Sequence, residues 1–281
     1  MTATANLTSL VTSENEWPIE DVQGLTLMFS PLLRQYGNLR HAFTTRKGGD
    51  SPAPLDSFNL GRHMTSGESR LDAMNNRASL CQALGVNFES LVVPGQVHSK
   101  NVILADQNHP LKEVDGVIVR QKGVPALLHF ADCVPVVIFA PQKNVVSVVH
   151  AGWRGTAARI VVEAVELMRS ECGCQPSELV AAIGPAIGPC CYPTGDEAAE
   201  RLKASLPGHQ SDSGIISSIF ALKNSACHPN LKAINALQLI SHGLTKVDIS
   251  NACTACRTEL FYSHRRENGQ TGRQGVIACL V

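Results

Sequence analysis

A mixed α/β fold is predicted for this chain from three observations. Short apolar runs punctuated by Gly, Pro, Asn and Asp fill the middle of the sequence. Three longer segments carry the spacing of helices that bury one face. The strand-like runs lie between the helical ones, so both kinds of element are expected to share one core.

Residues 1–36 mix Ser, Thr, Asn and Glu with scattered apolar positions and read as an extended, partly ordered lead-in without chemistry. Residues 37–281 read as a single domain. Its first helix is expected over 71–84. The runs LVVPG, NVILAD, DGVIVRQKG, VPALLHF, VPVVIFAPQKN and VVSVVH follow as strands. Residues 156–169 form the clearest helix: Arg159, Glu163, Glu166 and Ser170 mark a polar stripe, while Ile160, Ala164, Leu167 and Met168 face the other way. Thr156 is placed as its N-cap and Gly173 as its stop. The segment LPGHQSDSG, 206–214, reads as a loop, and a last helix is expected over 231–243.

Composition narrows the function. With 44% hydrophobic residues in 281, the chain can bury a large core. Lys plus Arg balance Asp plus Glu at 24 each, so no global field recruits nucleic acid or an anionic membrane surface. No apolar run approaches the roughly 18 residues of a membrane span, and the N-terminal residues do not read as a secretory signal. A cytoplasmic protein is expected. Its ten cysteines are then reduced thiols, packing residues or metal ligands rather than a disulfide framework.

The stretch ADCVPVVIFAPQKNVVSVVHAGWRG contains two β-prone runs, 134–140 and 145–149, separated by four residues that suit a hairpin loop. If Ala140 pairs with Val145, Pro135 lies opposite His150 and Cys133 one diagonal step away. Cys133 and His150 then share a face at the open end of the hairpin. Diagonal neighbours about 7 Å apart are within the span of a metal with bonds of about 2.3 Å to sulfur and 2.0 Å to nitrogen. One residue of register slip would undo this. For a third ligand, spacing leaves His41, His63, His98, His129 and His264 among the candidates. His98 stands out because Pro94 and Gly95 break a strand just before it.

The runs TTRKGGDSPAPLDSFNLG, NNRASLCQALG, QVHSKNV, ADCVPVVI, HAGWRG, IGPAIGPCCY and FYSHRRENGQTGRQ resemble, in order, the YfiH family. Its members have been described as laccase-like multicopper polyphenol oxidoreductases and as purine nucleoside phosphorylases. The resemblance spans residues 43–281 and implies a YfiH-like catalytic domain with layered mixed β-sheets flanked by helices. It places zinc on His98, Cys133 and His150, and three protein ligands with an open fourth position are the signature of a catalytic ion. It implies phosphorolysis of adenosine, inosine and methylthioadenosine, with adenosine deamination as a further activity. The alternatives it carries are a hydrolase that edits peptidoglycan precursors and a copper-dependent phenol oxidase. The partners expected are a purine nucleoside and phosphate, and the assembly a monomer or homodimer.

Zinc lowers the pKa of water from 15.7 to about 7, which would supply a nucleophile for deamination at purine C6. Asp132, beside Cys133, is expected as the proton donor. Phosphorolysis needs a cationic clamp instead, assigned to Arg46 and Arg154, with Arg265 as a further substrate contact. Asn59 is expected to orient a ribose hydroxyl, turn-capping being its plainer role. IGPAIGPCC reads as a rigid loop near the site, with Cys191 a substrate-side thiol or simply packed. The chain reads CYPTG where relatives commonly have CYEV, so the acidic position of the family has no counterpart. Cys253 with Cys256 and Cys172 with Cys174 are isolated pairs without finger spacing and are expected to be packed thiols.

Overall fold

The computed structural model describes residues 14–61, 67–105, 111–206, 208 and 213–281. In chain order the strands are β1 (Glu14–Asn15), β2 (Ile19–Val22), β3 (Leu25–Met28), β4 (Leu39–Thr44), β5 (Val102–Leu104), β6 (Gly116–Val119), β7 (Pro125–Phe130), β8 (Val134–Ala140), β9 (Val145–Ala151), β10 (Val180–Ile183), β11 (Phe220–Lys223), β12 (Ala226–Pro229), β13 (Lys246–Ser250) and β14 (Gln274–Leu280). The helices are α1 (Gly67–Leu84), α2 (Trp153–Ala157), α3 (Ile160–Cys172), α4 (Asp196–Ala204), α5 (Ser213–Ile219) and α6 (Leu231–Ser241).

Two sheets carry the fold: a seven-stranded mixed sheet in the order β1-β13-β10-β8-β9-β6-β5 and a five-stranded one in the order β2-β3-β4-β14-β7. They stack face to face because their central strands are apolar on both faces. Along β8, Val137 and Phe139 meet Phe43, Leu128 and Val276 of the other sheet, whereas Val136 and Ile138 turn to Ile160, Ala164, Met168 and Leu237 of α3 and α6. On the far side of the smaller sheet, Leu27, Ala42 and Ile277 pack on Leu80 and Cys81 of α1. The result is four layers, helix, sheet, sheet, helix: the patterning predicts the α/β mixture, and the family resemblance implies sheets layered between helices. Among the described residues no helix is long and apolar enough to cross a membrane.

The hairpin register is the one expected: Ala140 pairs with Val145 and Pro135 with His150. Other expectations need correction. LVVPG makes only two isolated bridges, Val92 to Ala126 and Gly95 to Lys112, since Pro94 cannot donate to a ladder. Thr156 does not start a helix. It is buried in α2, capped by Gly152, and Arg159 at φ 60° breaks the chain before α3 begins. Gly173, left-handed at φ 64°, ends α3 as expected. Residues 14–36 are woven into both sheets: Trp17 is 2% exposed, stacks edge-on against Phe43 and donates from Nε1 to Asp248 at 3.0 Å. The candidate ligand His63, and most of the loop expected at 206–214, lie outside the described residues.

Candidate active site

The open end of the β8–β9 hairpin forms the floor of a cavity of about 510 Å³. His150 lies in β9, Cys133 immediately precedes β8, and His98 sits at φ 64° in the connection between α1 and β5. Their ligand atoms all lie within 4.8 Å of one another. The pair derived from register and the third member implied by resemblance therefore converge. His41 does not join them: it is buried within β4 of the smaller sheet and accepts from the Ser30 amide at 3.1 Å.

Gly152 explains one glycine of HAGWRG. A Cβ there would stand 3.0 Å from Cδ2 of His98, 3.2 Å from Sγ of Cys133 and 3.9 Å from Cε1 of His150. The two ring carbons both flank Nε2, so the same nitrogen of each imidazole borders the space beside the sulfur.

Asp115, at the head of β6, organises the centre and was not foreseen. Its fully buried carboxylate accepts from the amides of Val97, His98 and Ser99 at 3.2, 3.0 and 2.7 Å, from Ser99 Oγ at 2.8 Å, and pairs with His150 Nδ1 at 2.8 Å. This fixes the left-handed turn that displays His98 and leaves His150 Nε2 for the centre, as outer-shell carboxylates do for metal-binding histidines. Burial pushes the Asp115 carboxyl up, but its bonds to His150 and Ser99 outweigh this and hold it down at about 2. Burial likewise opposes ionisation of Cys133, yet the charge and hydrogen bonds of His150 and His98 hold its thiol below the ordinary range. In return Cys133 and Asp115 hold His150 above its ordinary value, against burial. A site that stabilises a thiolate beside two imidazoles suits a cation. Two nitrogens and one sulfur fit zinc or copper.

The cavity wall adds Arg154, Arg265 and Arg273 as cations, Trp153 and Tyr192 as aromatic surfaces, and Gln96, His129 and His264. Arg154 stacks on Trp153 at 4.5 Å, and Arg265 lies 4.9 Å over Tyr192 while donating to the Pro193 carbonyl at 3.0 Å. Arg154 and Arg265 thus face the cavity, and Arg273 joins them without having been singled out.

Arg46 and Asn59 do not line the cavity. Arg46 is paired with Glu267 at 3.2 Å and stacked over Tyr262 at 4.7 Å. Asn59 is a buried turn clamp: Oδ1 accepts from the amides of Gly61 and Arg273 at 3.0 and 2.9 Å, so the turn-capping role prevails. Asp132 does line the cavity, but its oxygens already accept from Thr254 Oγ1 at 2.7 Å, Ser263 Oγ at 3.0 Å and the Arg265 amide at 2.7 Å. Those bonds tie it to the Ser263–Arg265 loop.

Cys191 does not line the cavity either. It stands with Cys190, Cys253 and Cys256, four sulfurs within 4.8 Å of one another. Cys253 and Cys256 are therefore not an isolated pair. The partners are adjacent residues, a spacing that a search for two C-x-x-C knuckles passes over.

Residues 40–281 match the model of the family described as multi-copper polyphenol oxidoreductase laccase. A relative from Geobacillus stearothermophilus, named purine nucleoside phosphorylase YlmD, is 38% identical over 248 residues, covering 82% of this chain and 86% of its own. The crystal structure of that organism's YlmD superposes with a TM-score of 0.84 at 32% identity, over 94% of this chain and 98% of the other. The crystal structure of Bacillus licheniformis YfiH, titled a hypothetical protein, superposes equally, with a TM-score of 0.84 at 30% identity over 94% and 99%.

Proposed function

Because the chain belongs to the multi-copper polyphenol oxidoreductase laccase family, the YfiH family of the sequence reading, and that family includes relatives named as purine nucleoside phosphorylases, we propose that it is a zinc-dependent purine nucleoside phosphorylase. Adenosine, inosine and methylthioadenosine are its substrates, and adenosine deamination is a further activity. The observation that carries this reading is one cavity joining a His–His–Cys centre to three arginines and two aromatic side chains. Its volume lies in the ordinary range for small-molecule sites. Ten free cysteines fit a reducing cytoplasm.

His98, Cys133 and His150 would hold the zinc, which supplies Lewis acidity and an acidified water when bound. The chain's own residues do the rest. Arg154, Arg265 and Arg273 offer phosphate oxygens planar donors and hold the anion against the ribose. Trp153 and Tyr192 give the purine apolar faces. Phosphate oxygen then forms a bond to ribose C1′ as the bond from C1′ to the purine N9 breaks, the base leaves with the bonding electrons, and a proton restores its neutrality. Asp115 keeps the His98 loop and the His150 ring oriented throughout.

Phenol oxidation through several coppers receives less support. Among the described residues, the groups of three or more converging His, Cys, Asp or Glu are this trio and the four-cysteine cluster, and neither supplies the many histidines that several coppers need. The test is incubation of purified protein with adenosine and phosphate, expected to yield adenine and ribose 1-phosphate and to stop with Cys133→Ala. Adenine formed equally without phosphate would overturn phosphorolysis in favour of a hydrolase, and turnover unaffected by Cys133→Ala would overturn the assignment of the centre.

A further inference from the structure

Cys190, Cys191, Cys253 and Cys256 come from two loops remote in sequence: the Gly-Pro-rich turn after β10 and the segment after β13. We propose that these four thiolates form a second metal site, a mononuclear zinc-type centre that clamps together two walls of the active-site cavity.

The sulfur geometry favours one ion. Cys256 Sγ is 3.5 Å from that of Cys190 and 3.4 Å from that of Cys191, and no pair exceeds 4.8 Å. A disulfide would need about 2.05 Å. Four sulfurs at about 2.3 Å from a tetrahedral zinc stand roughly 3.8 Å apart, inside the observed range. A cluster of several irons and bridging sulfides needs a wider cage of cysteines.

The Gly188 amide donates to Cys253 Sγ at 3.2 Å, and such an N–H···S contact is the outer-shell support that thiolate sites use. Gly188 is constrained by the cluster itself: a Cβ there would lie 3.2 Å from Cys190 Sγ and 3.5 Å from Cys253 Sγ.

The location gives the site a purpose. The first loop carries Ile187 and Tyr192 into the cavity, and the second leads directly into His264 and Arg265. Between them run the Ala186–Cys253 bridge and the Arg265 bond to the Pro193 carbonyl, and both loops reach Asp132, Ile187 through its amide and Thr254 through Oγ1. An ion bound by both loops adds a coordinate link between these two walls.

The test uses the full chain in a Cys133→Ala background, which silences the other centre, with cobalt(II) as the probe under reducing conditions. One cobalt per chain is expected, with the intense sulfur-to-cobalt charge-transfer band of tetrahedral four-thiolate coordination. Cys256→Ser and Cys190→Ser, both at exposed positions that leave the core intact, should each abolish or sharply weaken that band. Zinc analysis of unsubstituted protein purified without added metal should show a loss of about one equivalent in Cys256→Ser, whether or not the nucleoside assay succeeds. A Cys133→Ala protein that takes up no cobalt, a spectrum indifferent to both serine variants, or a disulfide within the four found by mass spectrometry of the protein as purified would overturn the proposal.

Discussion

Replacing Asp115 with Asn tests the organisation of the centre most directly, because it changes one atom's chemistry and almost no volume. The carboxylate accepts five hydrogen bonds with no exposure to water. In the orientation that keeps Oδ1 toward His150 and the His98 amide, the new NH2 group faces the amides of Val97 and Ser99, donor against donor. Flipped, it faces the His98 amide and His150. Either way buried donors lose their acceptor, at about 1–3 kcal/mol each, and at least one ligand loses its orientation. Loss of an outer-shell partner typically lowers metal affinity by about 10–100-fold, which corresponds to roughly 1.4–2.7 kcal/mol at 1.36 kcal/mol per decade. Zinc affinity measured by chelator competition, alongside urea unfolding of the metal-free protein, separates the two effects. Asp115→Asn protein that binds zinc as tightly as its parent and unfolds at the same urea concentration would refute this account of the site.

Further outcomes follow from other contacts. Gly152→Ala, whose backbone at φ −67° and ψ 172° accepts any residue, presses its methyl on His98 and Cys133; zinc affinity should fall by roughly tenfold or more while metal-free stability holds. Trp17→Ala should cost about 3–5 kcal/mol in urea unfolding, since the indole is sealed between both sheets; a loss under about 1 kcal/mol would return residues 14–36 to a peripheral role. Burial first, and the Arg34 charge second, hold His41 down at about 3. The unfolded chain therefore takes up this proton near pH 6.5 while the native one refuses it. Stability present above pH 6.5 is lost as the pH falls toward 3, by up to about 1.4 kcal/mol per pH unit, and His41→Gln should flatten that part of the profile in pH-dependent urea titrations.

Much of the centre is local information. The period-2 runs around Pro141–Asn144 and the four-residue gap determine the register that sets Pro135 against His150, so Cys133 and His150 could be brought together from a stretch of eighteen residues. His98 had no register to place it: the strand break at Pro94 and Gly95 marked it out among the histidines, and family resemblance added it to the pair. Arg46 and Asn59 sit in family-like runs yet serve a buried pair and a turn clamp, because motif membership does not reveal which way a side chain turns.

What the linear chain determines by itself is whatever its close neighbours enforce: strand and helix periodicity, the αL stop at Gly173, and one hairpin that brings Cys133 and His150 to its mouth. What the tertiary structure decides is convergence. Asp115 reaches under His98, Arg273 turns into the cavity, and an adjacent pair of thiols meets a C-x-x-C from beyond β13. The reason is that backbone and side-chain patterning act over a few residues, whereas these encounters depend on how two apolar sheets stack and where their edges leave loops to meet.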